Sequence, residues 1–298
     1  MKMLVSGALG NIGTILGNKL QKNNIPFIGL DVASQGFTND DFFQLDITNK
    51  SELNEKKSVF NEVDTLIHLA SKIDAGADVT NTGIESINVN VKGTLNLLEH
   101  LPNLKNILFT STYMAYGIPK QNPVTENHIQ EPHTVYGISK IVTEKYLQVY
   151  AQEKGINLTI FRYMGIYGLM SHYANQAIPI FIKLIATGKN PIVYGNGFQR
   201  RNHLFINDAI DAIFLALKSS KANGQIFNVG SGKPISIKKI TNTIHKIIKK
   251  GKPQFGKIPY RKGENMKLYA NINKIKKILR WYPKINLQEG IRRTIESY

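Results

Sequence analysis

Three tyrosine–lysine pairs stand four residues apart in this 298-residue chain: Tyr116/Lys120, Tyr136/Lys140 and Tyr150/Lys154. On a helix that spacing puts a phenol and an ammonium on one face, a turn apart. A free phenol, with a pKa of about 10, is too weak a base near neutrality. A neighbouring ammonium favours the phenolate. Such a pair can take or give the proton of a secondary alcohol while a hydride leaves or joins the same carbon. With 13 tyrosines in the chain the bare spacing says little, so the surroundings decide. Gly117 and Pro119 break any helix across the first pair. The third pair ends its helix just before Gly155. Only Tyr136/Lys140 opens a long uninterrupted helical pattern, shortly after Pro132 and well past Thr112, which closes the strand-like run Phe109-Thr110-Ser111-Thr112. Thr112 is placed to hold the substrate oxygen in line for the transfer.

A hydride acceptor must then be held nearby, and the N-terminus supplies a place for one. Gly7-Ala8-Leu9-Gly10-Asn11-Ile12-Gly13 follows an apolar strand and opens a helix. Glycines there allow a tight turn and bring backbone N–H groups to a pyrophosphate at a helix N-terminus. The spacing is GxxGxxG. Asp31 ends the next strand, where a carboxylate accepts the ribose hydroxyls of adenosine and repels a 2′-phosphate. No arginine follows it, so the expected cofactor is NAD rather than NADP. Asp46, with the Ile47 amide, is placed to meet the adenine edge, or else it simply caps the helix that follows.

The elements that must carry these residues alternate. Strand patterns fall at Met3–Ser6, Pro26–Leu30, Phe42–Leu45, Thr65–Leu69, Lys105–Thr110 and Leu158–Phe161. Helical patterns fall at Ile12–Lys22, Ser51–Phe60, Ile84–His100 and Tyr136–Lys154. This rhythm predicts an α/β fold with a Rossmann-type, doubly wound parallel sheet. Beyond residue 168 the rhythm changes, with helices at Pro179–Thr187 and Asn207–Lys218 and a returning strand at Ile226–Val229. The expected division is a NAD-binding domain over 1–168, with a returning segment about 204–231. A smaller mixed α/β C-terminal substrate lobe is expected over 169–203 and 232–298.

Composition narrows the class. The chain has no cysteine, which excludes a disulfide scaffold and thiolate catalysis, and no metal site is expected. No run approaches the roughly 20 apolar residues of a membrane span, so a cytoplasmic protein without membrane or nucleic-acid partners is expected. The net charge of +17 is uneven: residues 1–150 carry 12 lysines against 15 acids, residues 151–298 carry 26 basic against 6 acidic side chains. A basic half can signal an anionic partner, but no zinc spacing, aromatic nucleic-acid motif or basic tail accompanies it.

Taken together the residues resemble the extended short-chain dehydrogenase/reductases, in particular their NAD-dependent epimerase/dehydratase branch. The resemblance runs nearly end to end. It includes His68-Leu69-Ala70, Asn88-Val89-Asn90-Val91-Lys92-Gly93-Thr94, Thr110-Ser111-Thr112-Tyr113-Met114-Ala115-Tyr116-Gly117 and Arg162-Tyr163-Met164-Gly165-Ile166-Tyr167-Gly168. It continues through Gly197-Phe198-Gln199-Arg200-Arg201, Asn228-Val229-Gly230-Ser231-Gly232 and Arg280-Trp281-Tyr282-Pro283. It implies a nucleotide-diphosphate sugar, a UDP-sugar first, bound between the NAD domain and the C-terminal lobe. By the same resemblance Leu69, Ala70, Asn90 and Thr110 join the cofactor pocket. Arg201 and Arg261 grip the diphosphate, Tyr113, Gly165 and Gln176 meet the substrate, and His68 is a packed residue. The helices Ile84–His100 and Tyr136–Lys154 would pair with a second copy as a four-helix bundle, making a homodimer.

Departures from the branch's patterns choose among its reactions. Dehydratases carry Asp-Glu directly after the catalytic threonine; here those positions hold Tyr113 and Met114. Decarboxylases carry a glutamate at Met114's position. What remains is hydride and proton exchange, as in a C4 epimerase working through a transient 4-keto sugar. A nucleotide-sugar reductase or dehydrogenase built on the same residues is the alternative, and a dinucleotide-sensing regulator a third reading. Gly165 and Gln176 replace asparagines and Asn202 an aspartate, so the sugar is left open.

Overall fold

The computed structural model describes residues 2–34, 41–73, 81–168, 177–261 and 264–297. Met3–Ser6 (β1) is wholly buried, as a central strand covered on both faces must be. Asn11–Lys22 (α1) buries Gly13, Leu16, Gly17 and Leu20, a stripe at helical spacing. Then come Phe27–Asp31 (β2), Phe42–Gln44 (β3), Lys50–Glu55 (α2), Lys57–Phe60 (α3), Thr65–His68 (β4) and Asn81–Ile87 (α4). A π-helical turn over Asn88–Gly93 leads into Thr94–Glu99 (α5), followed by Asn106–Thr112 (β5), Val135–Lys154 (α6) and Asn157–Tyr163 (β6). The later strand Gln225–Val229 completes a seven-stranded sheet. Its order is Gln225–Val229, β6, β5, β4, β1, β2, β3. This is a Rossmann-like α/β fold.

The chain winds outward from β1 to β3, then returns to the other side of β1 for β4. That reversal creates a switch point between β1 and β4, where open α/β sheets bind ligands at the carboxyl ends of their strands. Parallel pairing sets Ser6 level with Leu30 and with His68, and His68 level with Phe109. Thr110, Ser111 and Thr112 therefore continue beyond that level, toward the ligand end. Leu4, Leu30, Phe60, Leu66, Leu97, Ile107 and Phe109 belong to the core beneath it.

Three elements depart from the sequence expectation. The predicted helix Ile84–His100 is interrupted by the π turn. There the Asn90 carbonyl accepts hydrogen bonds from the Thr94 and Thr143 hydroxyls, at 2.6 and 2.9 Å. The predicted helix Ser51–Phe60 divides at Lys56 into α2 and α3. Tyr113–Tyr116, to which the pattern assigns no element, is a 3-10 turn capped by the Thr112 hydroxyl, which accepts the Met114 N–H at 3.2 Å.

By compactness the chain divides into one unit of residues 1–117, 129–162 and 213–227 and a second of 118–128, 163–212 and 228–298. Residues 118–128 were not expected in the second. They are tied into it by Asn228, whose side chain donates to the Val124 carbonyl at 3.0 Å and whose N–H donates to Glu126 at 2.9 Å. The second unit is built from short ladders. Gly165–Tyr167 runs parallel to His203–Phe205, and Arg200–Arg201 lies between Ile235–Ser236 and Lys267–Leu268. Buried Trp281 anchors it, donating its indole N–H to the Asp208 carbonyl at 2.9 Å. Among the described residues no helix is long and apolar enough to cross a membrane.

Candidate active site

Gly7 leaves β1 with φ +74°, and a Cβ there would sit 2.6 Å from the Ala70 amide nitrogen. The turn thus backs directly onto Leu69–Ala70, across the switch point. A Cβ at Gly13 would lie 2.2 Å from the Gly7 carbonyl oxygen, so the first turn of α1 rests on the glycine loop. Gly10 caps α1 with no side-chain bond, which leaves the first amides of the helix, those of Asn11 and Ile12 among them, without a side-chain cap. Beside them the buried Asn11 Oδ1 has no hydrogen-bond partner among the described residues. Asp31 binds the loop: Oδ2 accepts the Leu9 N–H at 2.9 Å and Oδ1 the Ala33 N–H at 3.1 Å. Asp46 closes a local turn by accepting the Thr48 N–H at 2.8 Å. The cap of α2 is Asn49 instead, so that role does not belong to Asp46. Ile47 is buried, and its carbonyl accepts from Asn96 at 3.1 Å.

Asn90 is a clamp. Its Oδ1 accepts from the Lys72 N–H at 2.7 Å and the Ser71 hydroxyl at 3.0 Å. Its Nδ2 donates to the Lys72 carbonyl at 3.1 Å and the Ser139 hydroxyl at 2.8 Å. One buried amide thereby joins the segment after β4 to α6. Thr110 donates to the His68 carbonyl at 3.1 Å. His68 itself is spoken for at both nitrogens, by Ser6 at 2.6 Å and Thr94 at 2.8 Å. Because Thr94 already donates to Asn90, it accepts from Nε2, which fixes the neutral tautomer. Burial and the Lys140 charge push the His68 pKa down to about 3, so it is a packed imidazole, as expected.

Thr134 caps α6 by accepting the Gly137 N–H at 3.1 Å, and this sets Tyr136 and Lys140 on one buried face. Burial pushes the Tyr136 phenol up to about 12; the Ser71 and Thr112 hydroxyls hydrogen-bond it and oppose the rise, while Tyr113 adds to it. Burial brings Lys140 down to about 7 against the pull of Glu144. The ammonium lies 4.2 Å from the centre of the Phe109 ring. The next hydroxyl along β5, Ser111 Oγ, is buried without a partner among the described residues. Thr112, Tyr136 and Lys140 are thus gathered in one place, with Tyr113 beside them. Three participants escaped the sequence reading. Ser71 is an inconspicuous serine after Leu69-Ala70. Glu144 carries a signal, since it repeats the four-residue step of Tyr136 and Lys140. Arg162, its partner, stands in the sequence only as the first residue of a family motif, with nothing there to join it to Glu144.

In the second unit Arg201 is held by the Glu264 carboxylate and by the Asn265 carbonyl. The Arg261 guanidinium stacks 4.5 Å from the Tyr194 ring centre. Gly165 pairs with His203 across the short parallel ladder and donates its N–H to the Asn202 carbonyl at 3.1 Å. Burial and the Arg201 charge lower the His203 pKa to about 4. Gln176 lies outside the described residues.

A profile of the NAD dependent epimerase/dehydratase family matches residues 3–230. The chain belongs to that family. NAD is the family's cofactor, and the residues fit it: a tight glycine turn with no room for a Cβ at Gly7 or Gly13, an uncapped helix start and an unpartnered Asn11 oxygen. This family member is 35% identical to a putative UDP-glucose 4-epimerase of Methanocaldococcus jannaschii, over 98% of this chain and 97% of that protein. Its fold is similar to that of the Thermotoga maritima UDP-glucose 4-epimerase solved with UDP-glucose, with a TM-score of 0.89, 28% identity and coverage of 100% and 98%. It is also similar to the Bacillus cereus UDP-glucuronic acid 4-epimerase in complex with UDP-glucuronic acid and NAD, with a TM-score of 0.89, 26% identity and the same coverage.

Proposed function

We propose that this protein epimerises a nucleotide-diphosphate sugar, a UDP-sugar first, at C4 through a transient 4-keto sugar. The observation that carries the reading is the gathering of Thr112, Tyr136 and Lys140 with Tyr113 and Met114, and no carboxylate, in the turn that follows Thr112. Such a site is equipped for proton exchange at a hydroxyl and lacks the acid and base that eliminating water requires. NAD, when bound, accepts the hydride of the sugar carbon and gives it back. Thr112 holds the reacting oxygen, Tyr136 takes its proton and later returns it, and the Lys140 ammonium favours the phenolate over the desolvated phenol. Gly7, Gly10, Asn11, Ile12 and Gly13 cradle the pyrophosphate, Asp31 the adenosine ribose, and Asp46 with Ile47 the adenine. Leu69, Ala70, Asn90 and Thr110 form the floor of that pocket. The arginines of the second unit, Arg201 and Arg261, take the diphosphate of the sugar nucleotide, whose two negative charges suit guanidinium forks. Gly165 is a further proposed contact of the same substrate.

A homodimer belongs to this reading. Ile84 and Ile87 on α4 and Ile138, Val142, Tyr146 and Val149 on α6 are exposed apolar side chains on two neighbouring helices, which supports their pairing with a second copy.

The test is proton NMR of the purified protein with UDP-glucose, UDP-glucuronate and UDP-N-acetylglucosamine, and no added cofactor. A second epimer accumulating catalytically is the expected result. Turnover only with stoichiometric NAD or NADH makes the protein a dehydrogenase or reductase instead. No turnover in either condition overturns the substrate class.

A further inference from the structure

Behind Lys140 lies a buried ion pair with no part in the proton exchange just described. Glu144 stands one turn further along α6, and neither it nor Arg162 on β6 is more than 2% exposed. The Arg162 fork closes on the carboxylate, Nε at 3.1 Å from Oε1 and Nη2 at 2.6 Å from Oε2. Its third nitrogen, Nη1, donates to the buried Tyr116 hydroxyl at 3.0 Å, and Gln130 adds a donor to Oε2 at 3.3 Å. Burial opposes the charge on Arg162, but Glu144 and Tyr116 together raise its pKa above that of a free guanidinium.

The arrangement is informative because of what it prevents. A lysine and a glutamate four residues apart on a helix are within reach of each other. In a low-dielectric interior their attraction is strong. Yet among the described residues no ion pair or hydrogen bond joins Lys140 to Glu144, and the ammonium lies over the Phe109 ring. The titratable and charged groups around Lys140 can be named element by element. They are His68 on β4, neutral and hydrogen-bonded at both nitrogens, and Tyr136 and Glu144 on α6. The others are Tyr113 and Tyr116 on the turn after β5, and Arg162 on β6. Of these, Glu144 is the group whose charge favours the Lys140 ammonium, against the burial that opposes it.

We propose that Arg162 is a positioning residue that insulates the catalytic lysine: by engaging both oxygens of Glu144 it keeps that carboxylate from capturing the Lys140 ammonium, which stays over the Phe109 ring on the buried helix face it shares with Tyr136. A buried ion pair is weak evidence for stability, since an apolar pair of similar volume often serves as well. A role in steering Lys140 accounts for the fork, the tyrosine and the glutamine that hold the carboxylate away from it. The inference rests on the Tyr136/Lys140 reading for its activity arm only.

The experiment is NMR titration of lysine Nζ signals in the full-length protein, with the Lys140 signal identified by its absence in Lys140→Arg. Three variants are compared with the parent: E144Q, R162M and the double variant E144Q/R162M. Removing the anion and leaving the guanidinium lowers the Lys140 pKa by about one unit or more. Removing the guanidinium releases Glu144 to Lys140 and raises the pKa by a similar amount. The double variant moves it less than either single. In the activity arm, R162M lowers kcat about tenfold or more and shifts the pH optimum upward. If the singles fold and leave the Lys140 titration unmoved, the pair is structural and the proposal is overturned. Should either single fail to fold, R162K serves: it keeps the charge and loses the fork, and the proposal requires a raised Lys140 pKa, an unchanged one overturning it. Opposite shifts in a protein that epimerises no sugar would leave this inference standing and defeat the proposed function.

Discussion

The buried polar groups around Asn90 and those around Arg201 are treated differently. Asn90 spends its amide on four bonds, His68 has both nitrogens engaged, and Glu144 is enclosed by Arg162 and Gln130. In the second unit Gln199 Oε1, Asn202 Nδ2, His203 Nε2 and Asn265 Nδ2 are buried with no partner among the described residues. An unsatisfied buried group costs about 1–3 kcal/mol relative to a bonded one. In the first region Ser86 and Ser111 are the buried hydroxyls without a partner among the described residues, so most of its polar groups are held in place before any ligand arrives. The second keeps bonding capacity in reserve around the arginine proposed to meet the diphosphate. Substitutions in the first should therefore be felt as stability or kcat, and in the second as KM.

The largest effect expected is that of Tyr136→Phe. It removes the hydroxyl proposed to carry the proton and leaves the packing, so kcat should fall about 10³-fold or more with an unchanged melting temperature. A loss of less than tenfold would show that another group carries the proton. Next is Asn90→Ala, which removes four hydrogen bonds, two to the Lys72 backbone and one each to the Ser71 and Ser139 hydroxyls. Denaturant unfolding should show a loss of about 2–4 kcal/mol; a loss under 0.5 kcal/mol would mean that the saturation of this region contributes little to stability. Arg201→Met should raise KM about 10- to 100-fold, the worth of a charge-assisted contact, with little change in unfolding. If it unfolds the protein instead, the pair with Glu264 is structural and the contrast between the regions fails.

The acid limb of the stability curve sharpens the contrast more finely. His68 has a native pKa of about 3 against 6.5 for the unfolded chain. Between those values the unfolded state binds the extra proton, so stability is lost as pH falls from 6.5 toward 3. The slope is about 1.4 kcal/mol per pH unit at its steepest. Replacing His68 by Gln should flatten that limb and leave the neutral region as the reference. Lys140 works with the same sign at the alkaline end of the scale. With a native pKa of about 7 against 10.5 unfolded, it makes the native state gain stability as pH rises between those values. Lys140→Met should therefore stabilise the protein more at pH 7 than at pH 10, as thermal melts at the two values would show.

Much of this was legible in the chain. The strands β1, β2, β4, β5 and β6 fell within a few residues of their patterns, because a strand covered on both faces reads as an unbroken apolar run. The glycine loop, Asp31 and the choice of Tyr136/Lys140 over its two rivals came from local chemistry. Less legible was the π turn at Asn88–Gly93, whose cause is a contact from Thr143 on another helix. The 3-10 turn after Thr112 was also missed, as was the place of residues 118–128 in the second unit. The π turn and the place of residues 118–128 depend on partners distant in sequence, for which periodicity has no term, whereas the 3-10 turn is capped locally by Thr112 and is too short to show a period.

The sequence by itself determined that a glycine turn, a strand-end carboxylate and a phenol–ammonium pair, proposed here for phosphate, ribose and proton exchange, would lie along one doubly wound sheet. Those features follow from residue type and short-range spacing, which fix backbone conformation and the face of a helix. Only the tertiary structure decided which polar atoms are already spent. Asp31 is bound to its own loop, Arg201 to Glu264, and Glu144 to an arginine on another strand. Whether a buried group is free to act depends on the partners that folding brings within about 3 Å, and those are set by packing across the chain rather than along it.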